Sequence, residues 1–206
     1  MKRLFISFEG IEGTGKTIQS KLLYEYLIKK GFKTLLTEEP GGTRIGRTIR
    51  DLLLSVDHIE MKPLTELLLY NASRIQHIQE VILPAIKKGV VVITDRFTDS
   101  TVAYQGYGRG IELHLINTIE KIVTGGLKPD ITILLDLDVE IGLKRNKGIN
   151  KKDRIELEDI TFHKCVKNGY HTIAAKEPER VHVIDASKSI EHIHRSITKI
   201  VVDFLS

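Results

Sequence analysis

Eight consecutive residues, Gly10-Ile11-Glu12-Gly13-Thr14-Gly15-Lys16-Thr17, constrain this chain more than any other feature. They spell G-x-x-x-x-G-K-T, a phosphate-binding loop. Such a loop needs a strand before it and a helix after it. Leu4-Phe5-Ile6-Ser7-Phe8 is a short run suited to a buried strand. From Thr17 to Lys30, Leu22, Leu23, Tyr26 and Leu27 recur at helical spacing. The glycines let backbone N–H groups turn inward around phosphate oxygens, and the helix N-terminus adds its positive end. Gly10 through Thr17 are therefore the expected ATP-binding residues. Lys16 is expected to reach the β- and γ-phosphates, and the Thr17 hydroxyl to hold Mg²⁺.

The rest of the chain repeats this strand–helix alternation. Strands are expected at 3–8, 33–37, 90–94, 131–136 and 181–184. Helices are expected at about 15–30, 44–55, 64–88, 112–124, 139–146, 155–176 and 189–205. Val90-Val91-Val92-Ile93-Thr94 and Ile131-Thr132-Ile133-Leu134-Leu135 are unbroken apolar or β-branched runs, as in strands covered on both faces. The pattern predicts a three-layer α/β/α domain on a five-stranded parallel sheet with right-handed crossovers. It also places chemistry at the carboxyl ends of the strands. The whole of 1–206 reads as a single domain.

Thirty-one Lys plus Arg stand against 27 Asp plus Glu, a net charge of +4. This scattered excess is too small to argue for nucleic acid but suits a pocket that collects phosphates. The one cysteine, Cys165, excludes an internal disulfide and is expected to pack within a helix. A strand begins within four residues of Met1, so no signal peptide is expected, and no apolar run has membrane-spanning length. A soluble cytoplasmic protein is the expectation. The basic stretch Lys144 to Arg154 is expected to be a lid that closes cations over a nucleotide.

Two classes of phosphate-loop protein compete. Asn150-Lys151-Lys152-Asp153 matches the N-K-x-D by which many GTPase switches read guanine. It lies about fifteen residues past the nearest strand, however, and no D-x-x-G follows the third strand. Thr94-Asp95-Arg96-Phe97 favours a kinase. Asp95 at a strand end can hold Mg²⁺, and the Arg96 guanidinium can bind phosphoryl oxygens bidentately. Glu39-Pro40-Gly41-Gly42-Thr43 follows the second strand, and Arg44, Arg47 and Arg50 follow on broadly one side of a helix. At least one of these arginines is expected to meet an acceptor phosphate.

Phe8-Glu9-Gly10 through Thr17, Glu39-Pro40-Gly41-Gly42-Thr43, Asp95-Arg96-Phe97, Ala103-Tyr104-Gln105-Gly106, Pro129-Asp130, Leu135-Asp136 and Asp153-Arg154-Ile155-Glu156 together resemble the thymidylate kinases, over nearly the whole chain. The resemblance implies the phosphate-loop nucleoside monophosphate kinase fold, a homodimer, and ATP- and Mg²⁺-dependent phosphorylation of dTMP to dTDP. It implies that Lys16, Arg96 and Arg145 are catalytic and that Thr17 and Asp95 serve the metal. Glu12 would approach the deoxyribose 3′-hydroxyl and the metal shell, and Arg50 and Arg96 would hold the dTMP phosphate. Tyr70, where the family usually has Phe, would stack on thymine, and Arg74 would hydrogen-bond it. Thr101 and Gln105 would lie near the base, Tyr104 would back the sugar, and Glu39 and Pro40 would complete the dTMP site.

Two departures stand out. Glu38 occupies a position where the family often has Arg. The lid keeps Arg145 but fills neighbouring positions with lysine and asparagine, so the expected order for the transition-state cation is Arg145, then Lys151, Lys147 and Arg154. A kinase for a nucleoside or another nucleoside monophosphate is the alternative, and dUMP stays open as an acceptor.

Overall fold

The computed structural model of the chain describes residues 4–147 and 153–205. The side chains of Asn146 and Lys147 also lie outside the description.

Five strands form one parallel sheet: β1 (Phe5–Glu9), β2 (Thr34–Glu38), β3 (Val91–Asp95), β4 (Ile131–Asp136) and β5 (Val181–Asp185), in the order β2-β3-β1-β4-β5. Burial follows position. All of β1 and nearly all of β3 and β4 are inaccessible, whereas β2 and β5 at the edges are half-covered. On one face Ile6, Phe8, Ile133 and Leu135 pack against Leu23 and Leu27 of α1 (Lys16–Lys29) and against Ile193, Ile197 and Val201 of α9 (Ile190–Leu205). On the other, Phe5 and Val92 meet Phe97, Ile78 and Ile82, while Leu134 and Val181 meet Phe162, Val166 and Tyr170 of α8 (Ile160–Lys176). The alternation of side chains along each strand thus feeds two helical layers. Because β1 lies between β3 and β4, the chain leaves its carboxyl end at the point where strand order reverses, which opens a crevice there.

The remaining helices are α2 (Arg44–Leu54), α3 (Pro63–His77), α4 (Leu83–Lys87), α5 (Thr98–Thr101), α6 (Leu113–Thr124) and α7 (Val139–Lys147). The helix expected at 64–88 is α3 and α4 joined through a π-helical turn at Ile78–Ile82. Pro84 explains the widening: it has no N–H to donate and its ring crowds the preceding turn. The helix expected from 155 starts at 160. Asp153 Oδ1 accepts from the N–H groups of Ile155 and Glu156 and turns the chain first, and Asp159 then caps α8 by accepting from Phe162 N. Residues 98–108, without an assignment from sequence, form α5 and a π-helical stretch, Val102–Gly108. Cys165 is exposed on α8 rather than packed within it. No helix among the described residues is long and apolar enough to cross a membrane.

Candidate active site

The phosphate loop links β1 to α1. Thr14 Oγ1 donates to Ile11 O at 2.9 Å, closing the loop on itself, and Gly15 caps α1 at a φ of 88°. Gly13 has φ 73°, and a Cβ there would lie 2.1 Å from Gly142 O. A Cβ on Gly142 would in turn lie 2.6 Å from Glu12 O. Two glycines therefore let α7 rest backbone to backbone on the loop. Lys16 is buried and donates from Nζ to Ile11 O at 2.8 Å. Its pKa is lowered to about 8 by burial and the Arg96 charge, partly offset by Asp95, Glu12 and Glu9. Thr17 Oγ1 donates to Asp95 Oδ2 at 2.6 Å. A hydroxyl and a carboxylate so placed are hard oxygen donors that fit Mg²⁺. Among the described residues no group of three or more His, Cys, Asp or Glu is placed to hold a metal ion.

Arg96 follows β3 with φ 74°, the one left-handed non-glycine backbone among the described residues. Such a conformation costs roughly 1–3 kcal/mol and persists where neighbours over-determine it. Here Arg96 N donates to Phe8 O. Glu9, fully buried, accepts from Phe97 N at 2.7 Å, Ser100 Oγ at 2.6 Å and Tyr170 Oη at 3.0 Å. Burial and the nearby Asp99 raise the Glu9 pKa to about 7. The Arg96 guanidinium donates to Gly10 O, Ser100 Oγ and Tyr170 Oη through Nη1, and to Glu12 Oε1 and Tyr104 Oη through Nη2, all at 3.1 Å. It lies 4.9 Å from the Tyr104 ring centroid. Glu12 stays ionised, with a pKa of about 2. Burial opposes this, but the contact with His163, the Arg96 and Lys16 charges and the Tyr104 hydroxyl prevail.

The opposite wall comes from β2, α2, α3 and the 98–108 segment. Glu39 sits between Arg74 Nε at 2.7 Å and His77 Nδ1 at 2.9 Å. Arg74, 2 % exposed, further donates to Thr101 Oγ1 at 2.6 Å, to Phe97 O at 3.1 Å and to Glu120. This set of bonds locks the guanidinium into one orientation. It also makes Glu39 a residue that holds Arg74, its carboxylate being committed to Arg74 and His77. Arg50 donates to Pro40 O at 2.7 Å and lies 3.5 Å from Glu38. Of the three arginines on α2, Arg50 lines the cleft, while Arg44 and Arg47 are exposed and do not. Tyr70 lines the cleft one helical turn before Arg74, and burial raises the pKa of its hydroxyl. Gln105 Nε2 donates to Glu66 Oε1 at 2.8 Å.

These residues share one cleft of about 710 Å³. The structure brings together Glu12 through Thr17, Glu39, Pro40, Arg50, Tyr70, Arg74, Asp95, Arg96, Thr101, Tyr104, Gln105 and Arg145. Gly10 and Ile11 form the base of the loop, with Ile11 O receiving Lys16 and Thr14. Arg145 Nη1 donates to Ala186 O at 3.1 Å, which puts it at the end of the cleft where Lys188, Ser189 and Ile190 follow β5. Reading by motif missed that end, although the carboxyl end of the fifth strand marked it.

Arg154, ranked among the lid cations, is turned away. It is 5 % exposed, donates to Leu53 O at 3.1 Å and pairs with Glu66 at 2.6 Å. It serves as an anchor for the chain, since its guanidinium is consumed by these partners. Lys151 and the side chain of Lys147, the other candidates, lie outside the described residues. So do three of the four residues of the guanine-type pattern, Asn150, Lys151 and Lys152; the fourth, Asp153, is committed to its turn.

The family model described as thymidylate kinase matches residues 8–197. Among curated relatives, a thymidylate kinase of Halothermothrix orenii is 50 % identical over 200 residues, covering 96 % of this chain and 95 % of that protein. One of Geotalea daltonii is 48 % identical over 209 residues, covering 98 % of each. The crystal structure of thymidylate kinase from Ehrlichia chaffeensis superposes with a TM-score of 0.80 at 37 % identity, covering 98 % of this chain and 99 % of that one.

Proposed function

The chain belongs to the thymidylate kinase family, and we infer from this that it transfers the γ-phosphoryl group of ATP to dTMP, giving dTDP and ADP. One observation carries the assignment of roles within the site. Lys16, Arg96 and Glu12 meet in a single cleft that continues to Tyr70 and Arg74 on one side and to Arg145 and Lys188 on the other. ATP lies toward Arg145 and dTMP toward Tyr70, so the two phosphate chains meet at Arg96. Lys16 neutralises the β- and γ-phosphates. Thr17 and Asp95 would hold Mg²⁺, which when bound would add to the neutralisation of the transferring group. Arg96 and Arg50 orient the acceptor phosphate, whose oxygen is already anionic at neutral pH, so no residue need act as a general base. Transfer is in line and direct, driven by positioning and charge.

Tyr70 stacks on thymine, the fixed Arg74 guanidinium reads its edge beside Thr101 and Gln105, and Tyr104 backs the sugar. Glu39 and Pro40 hold this wall through Arg74 and Arg50. Arg145 is the leading transition-state cation, since Arg154 is consumed as an anchor. We treat the chain as one catalytic domain with the 144–154 segment as its lid, working in the cytoplasm. We also read it as a homodimer. Exposed Ile45 and Leu52 on α2, Leu64, Leu68 and Ile75 on α3, and Leu115 and Ile122 on α6 recur at helical spacing on three helices packed side by side. An apolar face this wide fits a second copy.

A coupled ADP-release assay tests the reaction with dTMP, dUMP, thymidine, UMP, CMP and AMP as acceptors. The expected result is release that depends strongly on dTMP, with dTDP as product. Release that ignores the acceptor, or favours another, would reject the dTMP pocket while leaving the phosphate loop in place.

A further inference from the structure

His163 lies on α8, behind the phosphate loop, with none of its surface exposed. Neither ring nitrogen has a hydrogen-bond partner, and the same is true of Glu12 Oε2. A buried polar atom without a partner has lost its hydration without compensation and calls for an explanation. Two of these three atoms face each other: His163 Nδ1 is 3.4 Å from Glu12 Oε2. That is a long polar contact, a few tenths of an ångström beyond an ordinary N–H···O bond. The other Glu12 oxygen, Oε1, takes both Arg96 Nη2 and the Tyr104 hydroxyl. The carboxylate is thus braced from behind by imidazole and engaged in front by the two groups that face the acceptor. The brace is rigid, because the His163 ring is set edge-on to Phe162 with centroids 5.4 Å apart, and Phe162 is set edge-on to Tyr104.

We propose that His163 is a positioning residue for the reaction: through Nδ1 it fixes the rotation of the Glu12 carboxylate, and so the placement of Arg96 and Tyr104 against the acceptor nucleotide. This rests on the dTMP kinase reading above. His163 touches no reacting atom and acts only through Glu12. Its loss should weaken the use of dTMP while leaving the KM for ATP near its original value.

The test is a double-mutant cycle on the full chain, scored by kcat/KM for dTMP and by the dissociation constant for dTMP from calorimetry, with thermal melts as a check on folding. His163→Leu should lower kcat/KM for dTMP about tenfold, the scale of a close coupling between neighbours. His163→Asn, whose amide nitrogen can take the place of Nδ1, should recover most of that. In a Glu12→Gln background, His163→Leu should cost little more. Additive losses in the cycle, a fall in ATP and dTMP parameters together, or an unaffected His163→Leu would each overturn the assignment while dTMP kinase activity stands. A wild-type chain that does not use dTMP would overturn both.

Discussion

Arg96 carries a strained backbone and a guanidinium with five hydrogen-bond acceptors around it, so its position is prepared before any substrate arrives. Arg96→Ala should lower kcat at least a hundredfold, the scale of a lost charge-stabilising donor. The same variant should still fold, as thermal denaturation would report, because its backbone neighbours remain. A smaller residue-scale effect is expected at Glu38, which lies 3.5 Å from Arg50 and lines the cleft. Glu38→Gln should lower the KM for dTMP a few-fold, since a half-exposed pair contributes only ~0.2–1 kcal/mol. An unchanged KM in steady-state assays would remove Glu38 from the acceptor site. Glu9 gives a pH signature. Its pKa rises from 4.5 to about 7 on folding, so the folded state binds its proton more tightly. The stability it contributes is complete below pH 4.5 and is lost as pH rises through 7. Melting curves of Glu9→Gln and wild type should therefore diverge across that window, the wild type losing stability relative to the variant. Lys16, Thr17 and Asp95 were legible at this scale because one motif and one strand end name them. Glu9 and His163 were not, because their importance comes from what the folded chain sets around them.

At the scale of elements, the contact between α7 and the phosphate loop depends on the absence of two Cβ atoms. Gly142→Ala would place a methyl 2.6 Å from Glu12 O, so α7 must shift away from the loop. The expected outcome is a several-fold higher KM for ATP with a modest loss of stability. ATP titrations beside thermal melts would show it, and unchanged ATP kinetics would refute it. Element types came readily from the sequence wherever apolar residues formed an unbroken run, as in β3 and β4, or recurred at helical spacing, as in α1. The 98–108 segment escaped because Thr98-Asp99-Ser100-Thr101 has weak intrinsic helix preference and shows no apolar stripe. Its helix is held by the site itself: Ser100 donates to Glu9, Thr101 receives Arg74, and Tyr104 donates to Glu12. Arg154 shows the other limit. Its charge and its place at the end of the 144–154 stretch were plain, but spacing does not say which way a side chain turns.

At the scale of the whole molecule, strand–helix alternation disclosed the parallel sheet and the crevice at its carboxyl edge, and both stand as expected. The apolar face across α2, α3 and α6 was hidden in sequence, because amphipathic spacing looks the same whether a residue faces its own core or a second copy. Leu68→Glu, at a half-exposed position on that face, should convert a dimer to a monomer in sedimentation experiments while the chain stays folded. A wild type that sediments as a monomer would reject the face as an interface. The 144–154 stretch, proposed above as a lid, is held at both of its described ends. Just ahead of it, Gly142 lets α7 rest on the phosphate loop; at its far end, Arg154 binds Leu53 O and Glu66 on the wall formed by α2 and α3. Its two ends are thus moored to opposite banks of the cleft. A segment grafted in its place should not behave as a free-standing cassette: it must match the distance between moorings and bring a glycine and an arginine with it.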